Sequence, residues 1–193
     1  MDGIVLDEVT PDEAGFRAWA TARRNGLRRS AYLLCLDWHL ADDLVQETLA
    51  KTYARWARIT ARGHPDRYVR RVLVTSYLDS RRRPWRRESA AAQLPDLTPD
   101  QAAADALDAV ETAADRGRLV AALAALPPGQ RAMVVLRHFE DLSVEQTAEL
   151  LHCSTGNVKS QTARGLDRLR AALVQPRLTP GEAIRPTGRR TDG

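Results

Sequence analysis

The sequence predicts an all-α protein of two small helical domains joined by a flexible acidic linker, with a helix-turn-helix in the second domain. Apolar residues recur every three to four positions in both halves, which is typical of amphipathic helices. Aromatic residues make up only 5% of the 193 residues, as in helical modules packed with Ala, Leu and Val. Between the halves lies a stretch with seven acidic and no basic residues. We place the domains at 12–87 and 116–174, the linker at 88–115, and a disordered Pro/Gly-rich tail at 175–193.

Two amphipathic stripes predict the first two helices of the N-terminal domain. The first helix covers 12–36, with Phe16 and Trp19 on its apolar side. The apolar stripe of the second helix consists of Leu44, Val45, Thr48, Leu49, Tyr53 and Trp56, and its opposite face of Asp42, Asp43, Gln46, Glu47 and Lys51. A face rich in carboxylates suits a basic protein partner, and ordinary solvated charge is the alternative.

A third helix is predicted from Asp66 to Arg83, after a break at Gly63 and Pro65 and before Pro84, which ends it. Its inward face carries Val69, Val72, Leu73, Ser76 and Tyr77, and its outward face carries Arg71, Thr75, Asp79 and Arg82. The run RRRPWRR follows at 81–87. Arginines of this kind can follow a phosphate backbone, and an aromatic ring can stack on an unpaired base. Candidate rings are Trp85, Tyr68 and Trp56, with burial favoured for Trp56; a solvated basic face or an address tag is the alternative.

The C-terminal domain carries the stronger local signals. LAALPPGQR at 123–131 indicates a helix end, a turn and a new helix start. Ser143 followed by Gln146 forms a capping box, and HCS at 152–154 is a short turn in which Ser154 can cap a helix from Thr155 to about Leu173. Val144, Ala148, Leu151, Val158 and Leu166 are the predicted contacts between the two helices. Helix, short turn and helix is the helix-turn-helix pattern. An ordinary helical hairpin with a solvated face is the alternative.

Composition and spacing argue against several other classes of protein. Cys35 and Cys153 are far apart and lie in no CxxC motif, so a reducing cytoplasm and no disulfide framework are expected. The four histidines lack metal-ligand spacing, and no nucleophile–base set or phosphate loop is visible. No apolar run approaches the length of a membrane span. We therefore expect a cytoplasmic protein without metal, cofactor, membrane contact or enzymatic activity.

Two separate stretches resemble one family. LADDLVQETLAKTYARW (40–56) with PDRYVRRVLVTSYLDSRRR (65–83) resembles region 2 of the extracytoplasmic-function (ECF) sigma factors of the sigma-70 family. The segment from Leu126 to Arg170 resembles their region 4. The matches occur in the expected order and span the chain from Leu40 to Arg170, about 130 residues with the linker included. The pattern is most similar to the actinobacterial SigE-type subgroup.

The resemblance implies a role for each surface. It implies that core RNA polymerase docks through its clamp helices on Asp42, Asp43, Gln46 and Glu47, and through its flap on the first helices of region 4. It implies that the −10 promoter element is melted and captured near Tyr68, Arg71, Thr75, Asp79, Arg82 and Arg83. It implies that the −35 element is read by Ser154, Thr155, Gly156, Asn157, Lys159, Ser160, Gln161 and Arg164. The acidic linker would thread toward the RNA exit channel, and an anti-sigma factor is a further candidate partner.

Three positions depart from the family pattern. Thr75, His152 and Gln161 stand where relatives commonly carry Asn, Gly and Arg, which affects the choice of promoter more than the class of protein.

A stand-alone helix-turn-helix regulator is the second hypothesis for the function. It explains 143–170 but neither the acidic face nor the helix that ends in arginines. An interaction protein that sequesters polymerase or sigma factors is the third hypothesis.

Overall fold

The computed structural model describes residues 11–82 and 112–174, and every regular element in these two ranges is helical. The N-terminal range contains α1 (Pro11–Cys35), α2 (Trp38–Tyr53), α3 (Trp56–Thr60) and α4 (Pro65–Arg82). The C-terminal range contains α5 (Ala113–Ala124), α6 (Pro128–Val134), a π-helical turn (Val135–Phe139), α7 (Val144–Leu151) and α8 (Thr155–Val174). The predicted linker lies almost wholly outside the described residues, and the predicted tail lies entirely outside them.

The N-terminal helices form close to where their apolar stripes predict them, with two corrections. Val72 of α4, predicted to face inward, is only half-buried, and Val74 is buried in its place. The other correction is at the end of α2. The carboxylate of Asp37 caps α2 by accepting from the Leu40 amide at 2.9 Å, and buried Leu44 and Val45 face α1 and α4. The helix ends at Tyr53 rather than continuing to Trp56, which begins α3. The chain turns at Ala54 and Arg55, so Trp56 is buried as predicted, whereas Tyr53 is 49% exposed. The expectation that Tyr53 belongs to the buried stripe was therefore wrong.

A cluster of aromatic rings fixes the start of α4. Phe16 lies 5.2 Å from Trp56 and 6.1 Å from Trp19, measured between ring centroids. The Trp19 indole N–H donates to Asp66 at 3.2 Å, and Arg23 forms an ion pair with the same carboxylate at 2.8 Å. Because Asp66 lies in the first turn of α4, these contacts hold the α3–α4 connection against α1.

Two of the C-terminal helices, α7 and α8, begin at the caps predicted for them, Ser143 and Ser154. Thr112 caps α5, which therefore starts three residues before the predicted boundary at 116. Pro128 is the first residue of α6, where its missing N–H costs nothing. Ser143 and Gln146 form the predicted capping box. His152 ends α7 in the left-handed conformation, with φ of 51°, in the role that glycine commonly fills.

The two halves pack against each other rather than standing apart. One continuous buried cluster contains Leu27, Ala31 and Leu34 of α1 together with Leu123 of α5 and Leu136 of the π-helical turn. α4 contacts both α6 and α7. An apolar surface of each half is therefore buried against the other half. The spacing of apolar residues did not predict this contact.

Candidate nucleic-acid interface

The N-terminal end of α8 presents the residues predicted to read duplex DNA. Ser154, Thr155, Gly156, Asn157, Lys159, Ser160 and Arg164 are exposed, and Gln161 is half-buried. The Ser154 hydroxyl accepts from the Asn157 amide at 3.1 Å, so its predicted capping role is confirmed. The remaining donors and acceptors project from one end of one helix, a geometry that suits a major groove.

Close packing beneath α8 holds this end in place. Val158 is fully buried and packs with Ala148 of α7 and Met133 of α6. One residue beyond Arg164, helix α8 approaches α6 at Gly165. A Cβ built on Gly165 would lie 2.8 Å from the Val134 methyl group Cγ2 and 3.4 Å from the Gln130 carbonyl oxygen. Helix α8 is thus held in place by close packing that leaves no room for movement toward α6.

A basic groove lies between α3 and α4 in the N-terminal domain. It has a volume of about 340 Å³, and its walls include Arg55, Arg58, Arg62, His64, Arg67, Tyr68 and Arg71. Arg55 donates to the Tyr68 hydroxyl at 2.8 Å, so the half-buried phenol ring is held at the groove by a cation. Arginines around an aromatic ring are the chemistry that binds single-stranded nucleic acid.

On the outward face of α4, one side chain is already hydrogen-bonded within the helix and others are exposed. The Thr75 hydroxyl donates within its own helix to the carbonyl oxygens of Arg71 at 2.8 Å and Val72 at 3.2 Å. Asp79 and Arg82 are exposed at the C-terminal end. Arg83 and Trp85 lie outside the described residues. The Thr75 hydroxyl is therefore less available for a base contact than its position suggests.

The acidic face of α2 contains two kinds of carboxylate. Asp42 accepts two hydrogen bonds from Arg28, at 2.7 and 3.1 Å, and Arg28 lies 4.5 Å above the Trp38 ring. Glu47 pairs with Lys51 at 2.6 Å, and Lys51 also donates to the Ser76 hydroxyl at 2.9 Å. The other two residues of the face, Asp43 and Gln46, are exposed. The face is acidic at its surface while Asp42 is neutralised from within the domain.

Charged residues that no sequence motif indicates join the two halves. Arg70 of α4 forms an ion pair with Glu140 at 2.7 Å, and Arg67 pairs with Glu149 of α7. Arg131 of α6 is only 7% exposed and donates to the Leu34 carbonyl oxygen at 2.9 Å. These partners are 70 or more residues apart in sequence, so no local spacing could have revealed them.

Two further features bear on the chemistry. Burial raises the pKa of the Cys35 thiol to about 12, so this thiol stays protonated and unreactive near neutral pH. Within the two described ranges no helix could span a bilayer, and no group of His, Cys, Asp and Glu could hold a metal ion.

The fold and these surfaces define a class: a two-domain helical protein with a helix-turn-helix in one domain and a basic, aromatic-lined groove in the other. The sequence profile described as "Sigma-70 region 2" matches residues 19–87, and that described as "Sigma-70, region 4" matches residues 116–169. The chain belongs to the ECF sigma factors of the sigma-70 family, and within them to the SigE type. It is an RNA polymerase sigma factor, a transcription initiation factor that directs promoter-specific transcription and has core RNA polymerase and promoter DNA as its partners.

Individual relatives agree with this assignment. The RNA polymerase sigma-E factor of Streptomyces coelicolor is 41% identical over 159 residues, covering 82% of this chain and 86% of the relative. The ECF RNA polymerase sigma factor SigE of Mycolicibacterium smegmatis is 32% identical, covering 90% of this chain and 68% of the relative. The sigma factor RpoE, solved in complex with the anti-sigma factor NepR from Bartonella quintana, matches the fold with a TM-score of 0.66 at 23% identity, covering 82% of this chain and 96% of that one.

Proposed function

We propose that the surfaces of this sigma factor divide the work of promoter recognition. The N-terminal domain, 12–87, captures the −10 element in the groove between α3 and α4, and the C-terminal domain, 116–174, reads the −35 element with the exposed end of α8. The basic groove around Tyr68 is the observation that carries this proposal. A stand-alone regulator that binds duplex DNA has no need for a single-strand site on a second domain.

The −10 assignment rests on charge and shape. Arg55, Arg58 and Arg71 supply cations around the Tyr68 ring, and Asp79 and Arg82 continue the same face of α4 toward its end. Unstacking a base costs a few kcal/mol, which stacking on an aromatic ring and phosphate contacts can offset. Promoter melting then needs binding energy only. The protein forms no covalent intermediate and acts in the cytoplasm, where the polymerase works.

The polymerase assignment rests on the surface charge of α2. Asp43 and Glu47 are exposed one turn apart, with Gln46 beside them. Carboxylates on this face would be repelled by DNA, so the face suits a basic protein surface such as the clamp helices of core polymerase. The first helices of the C-terminal domain would meet the flap. A SigE-type factor of this kind is also a candidate for control by an anti-sigma factor.

Run-off transcription with purified core polymerase tests the proposal. Adding the wild-type protein should yield transcripts with defined start sites, and Asp43→Lys should abolish them because the reversed charge repels a basic docking surface. Asp12→Lys, an exposed carboxylate in the first turn of α1, is the matched control and should keep activity. Duplex binding without dependence on core polymerase would favour the stand-alone regulator. Polymerase binding without promoter selection would favour a sequestering protein.

A further inference from the structure

One lysine contacts both of the faces to which the N-terminal domain owes its proposed functions. Lys51 lies in the last turn of α2. Its ammonium lies 2.6 Å from a carboxylate oxygen of Glu47, a residue of the face proposed to dock on polymerase. The same ammonium donates to the Ser76 hydroxyl at 2.9 Å, and Ser76 belongs to α4, the helix proposed to bind the −10 element. A single charge therefore joins α2 to α4.

The two contacts of this ammonium differ in how easily they are replaced. Ser76 is 6% exposed, and a buried hydroxyl is costly to leave without its partner. The side chains of Lys51 and Glu47 are 50% and 47% exposed, and an exposed ion pair one helical turn apart contributes little to stability. The Ser76 hydroxyl therefore anchors the ammonium at α4, whereas the contact with Glu47 can be exchanged at little cost.

The anchor point lies at the border of the proposed −10 face. Asp79, an exposed residue of that face, is three positions beyond Ser76, and side chains three positions apart on a helix are neighbours. A carboxylate at this place repels the phosphates of an approaching strand. A cation held at Ser76 offsets that repulsion, provided that its charge is not already neutralised by Glu47.

Binding of Glu47 by a basic partner changes the charge of this border without moving α4. A cation of the partner that takes the Glu47 carboxylate repels the Lys51 ammonium from it. The ammonium keeps its hydrogen bond with Ser76, so it stays at α4 with its charge no longer neutralised. Lysine suits this exchange because a single ammonium on a flexible stem can keep one partner and lose the other, whereas the arginine fork tends to bind a carboxylate with two parallel hydrogen bonds.

We propose that Lys51 is a positioning residue that couples the two faces of the N-terminal domain: when polymerase binds Glu47, the Lys51 ammonium, held at α4 by Ser76, becomes a contact for the phosphate backbone of the −10 strand. The proposal rests on the docking and −10 assignments made above. It goes beyond them by giving a residue of the docking helix a part in binding DNA.

The free full-length protein tests the release of the charge without polymerase. Glu47→Gln removes the carboxylate that neutralises Lys51. It should raise the affinity for a short fluorescent single strand, bearing a −10 sequence mapped by run-off transcription, by about two- to threefold, the size of effect of one exposed ion pair. It should also steepen the slope of log K against log salt by about 0.7, the value for one phosphate neutralised on a single strand. Adding Lys51→Met to Glu47→Gln should abolish both gains.

Glu13→Gln is the matched control for the lost charge. Glu13 forms an ion pair of the same spacing with Arg17 at 2.8 Å, on α1 rather than at the border of α4. Its substitution removes one carboxylate and releases one cation, as Glu47→Gln does, so strand affinity and salt slope should stay close to those of the wild type. Equal gains in the Glu13 and Glu47 variants would refute the coupling, because the loss of any carboxylate would then have the same effect.

Holoenzyme tests the contact itself. With core polymerase bound, Lys51→Met should weaken strand binding by about two- to threefold and reduce the salt slope by about 0.7. Lys51→Arg keeps the charge and should keep the slope. The affinity of the Lys51→Met protein for core polymerase should not fall, because the substitution removes a cation from a face that meets a basic surface. Urea unfolding provides the comparison with a merely structural role, which would lower the stability and both affinities together.

Failure of the coupling and failure of the two assignments give different results. Tyr68→Ala in holoenzyme should weaken strand binding whether or not Lys51 takes part, and no loss in that variant would overturn the −10 assignment and the coupling with it. Run-off transcription with Asp43→Lys reports on docking independently. If both of those variants behave as expected while Lys51→Met keeps the wild-type salt slope, the coupling is wrong and the two faces act separately. A fall in core affinity with an unchanged slope would make Lys51 part of the docking surface instead.

Discussion

Asp42 and Asp43 are neighbours in the chain, yet α2 places them in different environments. Asp42 turns toward α1 and accepts both hydrogen bonds of Arg28, whereas Asp43 points to solvent. The same sequence motif therefore supplies one carboxylate that ties two helices together and one that is available to a partner. Substituting Asp42 would disturb the domain as well as its surface, which makes Asp43 the better probe of polymerase docking.

At the −35 surface, the predicted contacts can be tested one cation at a time. Lys159→Ala and Arg164→Ala should each weaken holoenzyme binding to a −35 duplex and reduce the slope of log K against log salt by about one, because each removes one phosphate neutralisation. Arg170→Ala is the control, since Arg170 lies roughly three helical turns beyond Lys159 and pairs with Asp167 at 3.0 Å. An unchanged slope in both variants would place Lys159 and Arg164 away from DNA.

Among the elements, α8 is the one whose position depends most on a single close approach. The exposed end of α8 can present its side chains in a fixed direction only if the rest of the helix is packed against the domain. Gly165 allows α6 to come within contact distance of α8. Val134 is 2% exposed and has no space to retreat into. Helix propensity would favour alanine at this position, so the close packing between α8 and α6 opposes the local preference.

Gly165→Ala should therefore destabilise the protein by about 1–2 kcal/mol, because overpacking against Val134 exceeds the gain in helix propensity. Urea unfolding followed by circular dichroism measures the change. Gly26→Ala in α1 is the matched control: no heavy atom lies within 4 Å of its Cβ position, so it should stabilise the protein by about 0.5–1 kcal/mol. Equal effects of the two substitutions would contradict the packing described for α8.

In the whole molecule, the two domains share one buried cluster, and Arg131 bridges them. The pKa of Arg131 is lowered, mainly by burial of its guanidinium. Its charge is stabilised by carbonyl oxygens at two helix ends rather than by a carboxylate. The contact between the domains is therefore partly polar and partly apolar, as interfaces between domains of one chain commonly are.

Arg131→Met should destabilise the protein by about 1–3 kcal/mol, because it leaves buried carbonyl oxygens without a donor. It should also separate the unfolding transitions followed by tryptophan fluorescence and by circular dichroism, which coincide in the wild type. The four tryptophans lie at or before residue 85, so fluorescence reports the N-terminal domain, whereas circular dichroism reports both. The control is Arg137→Met, which replaces a half-buried cation in the middle of the π-helical turn. In this variant the two transitions should still coincide. Coincident transitions in the Arg131 variant would show that the domains are coupled by other contacts.

Local chemistry made much of this protein predictable from its sequence. Periodicity located the helices, the capping box at Ser143 and the cap at Ser154 located the turn, and His152 could be expected to adopt the left-handed conformation. These features depend on residues within one or two helical turns of each other, so the chain itself displays them. Tyr53 was misassigned because periodicity cannot show where a helix stops between two aromatic residues.

Only the tertiary structure decided how the domains meet and which charges are already paired. Arg70 and Glu140 are 70 residues apart, and Arg131 and Leu34 are 97 apart, and the apolar faces that cover each other carry no mark of their partner. The family and its two binding modules followed from the sequence because motifs are local. The packing of one domain on the other did not, because it arises from the complementarity of two surfaces that exist only after each domain has folded.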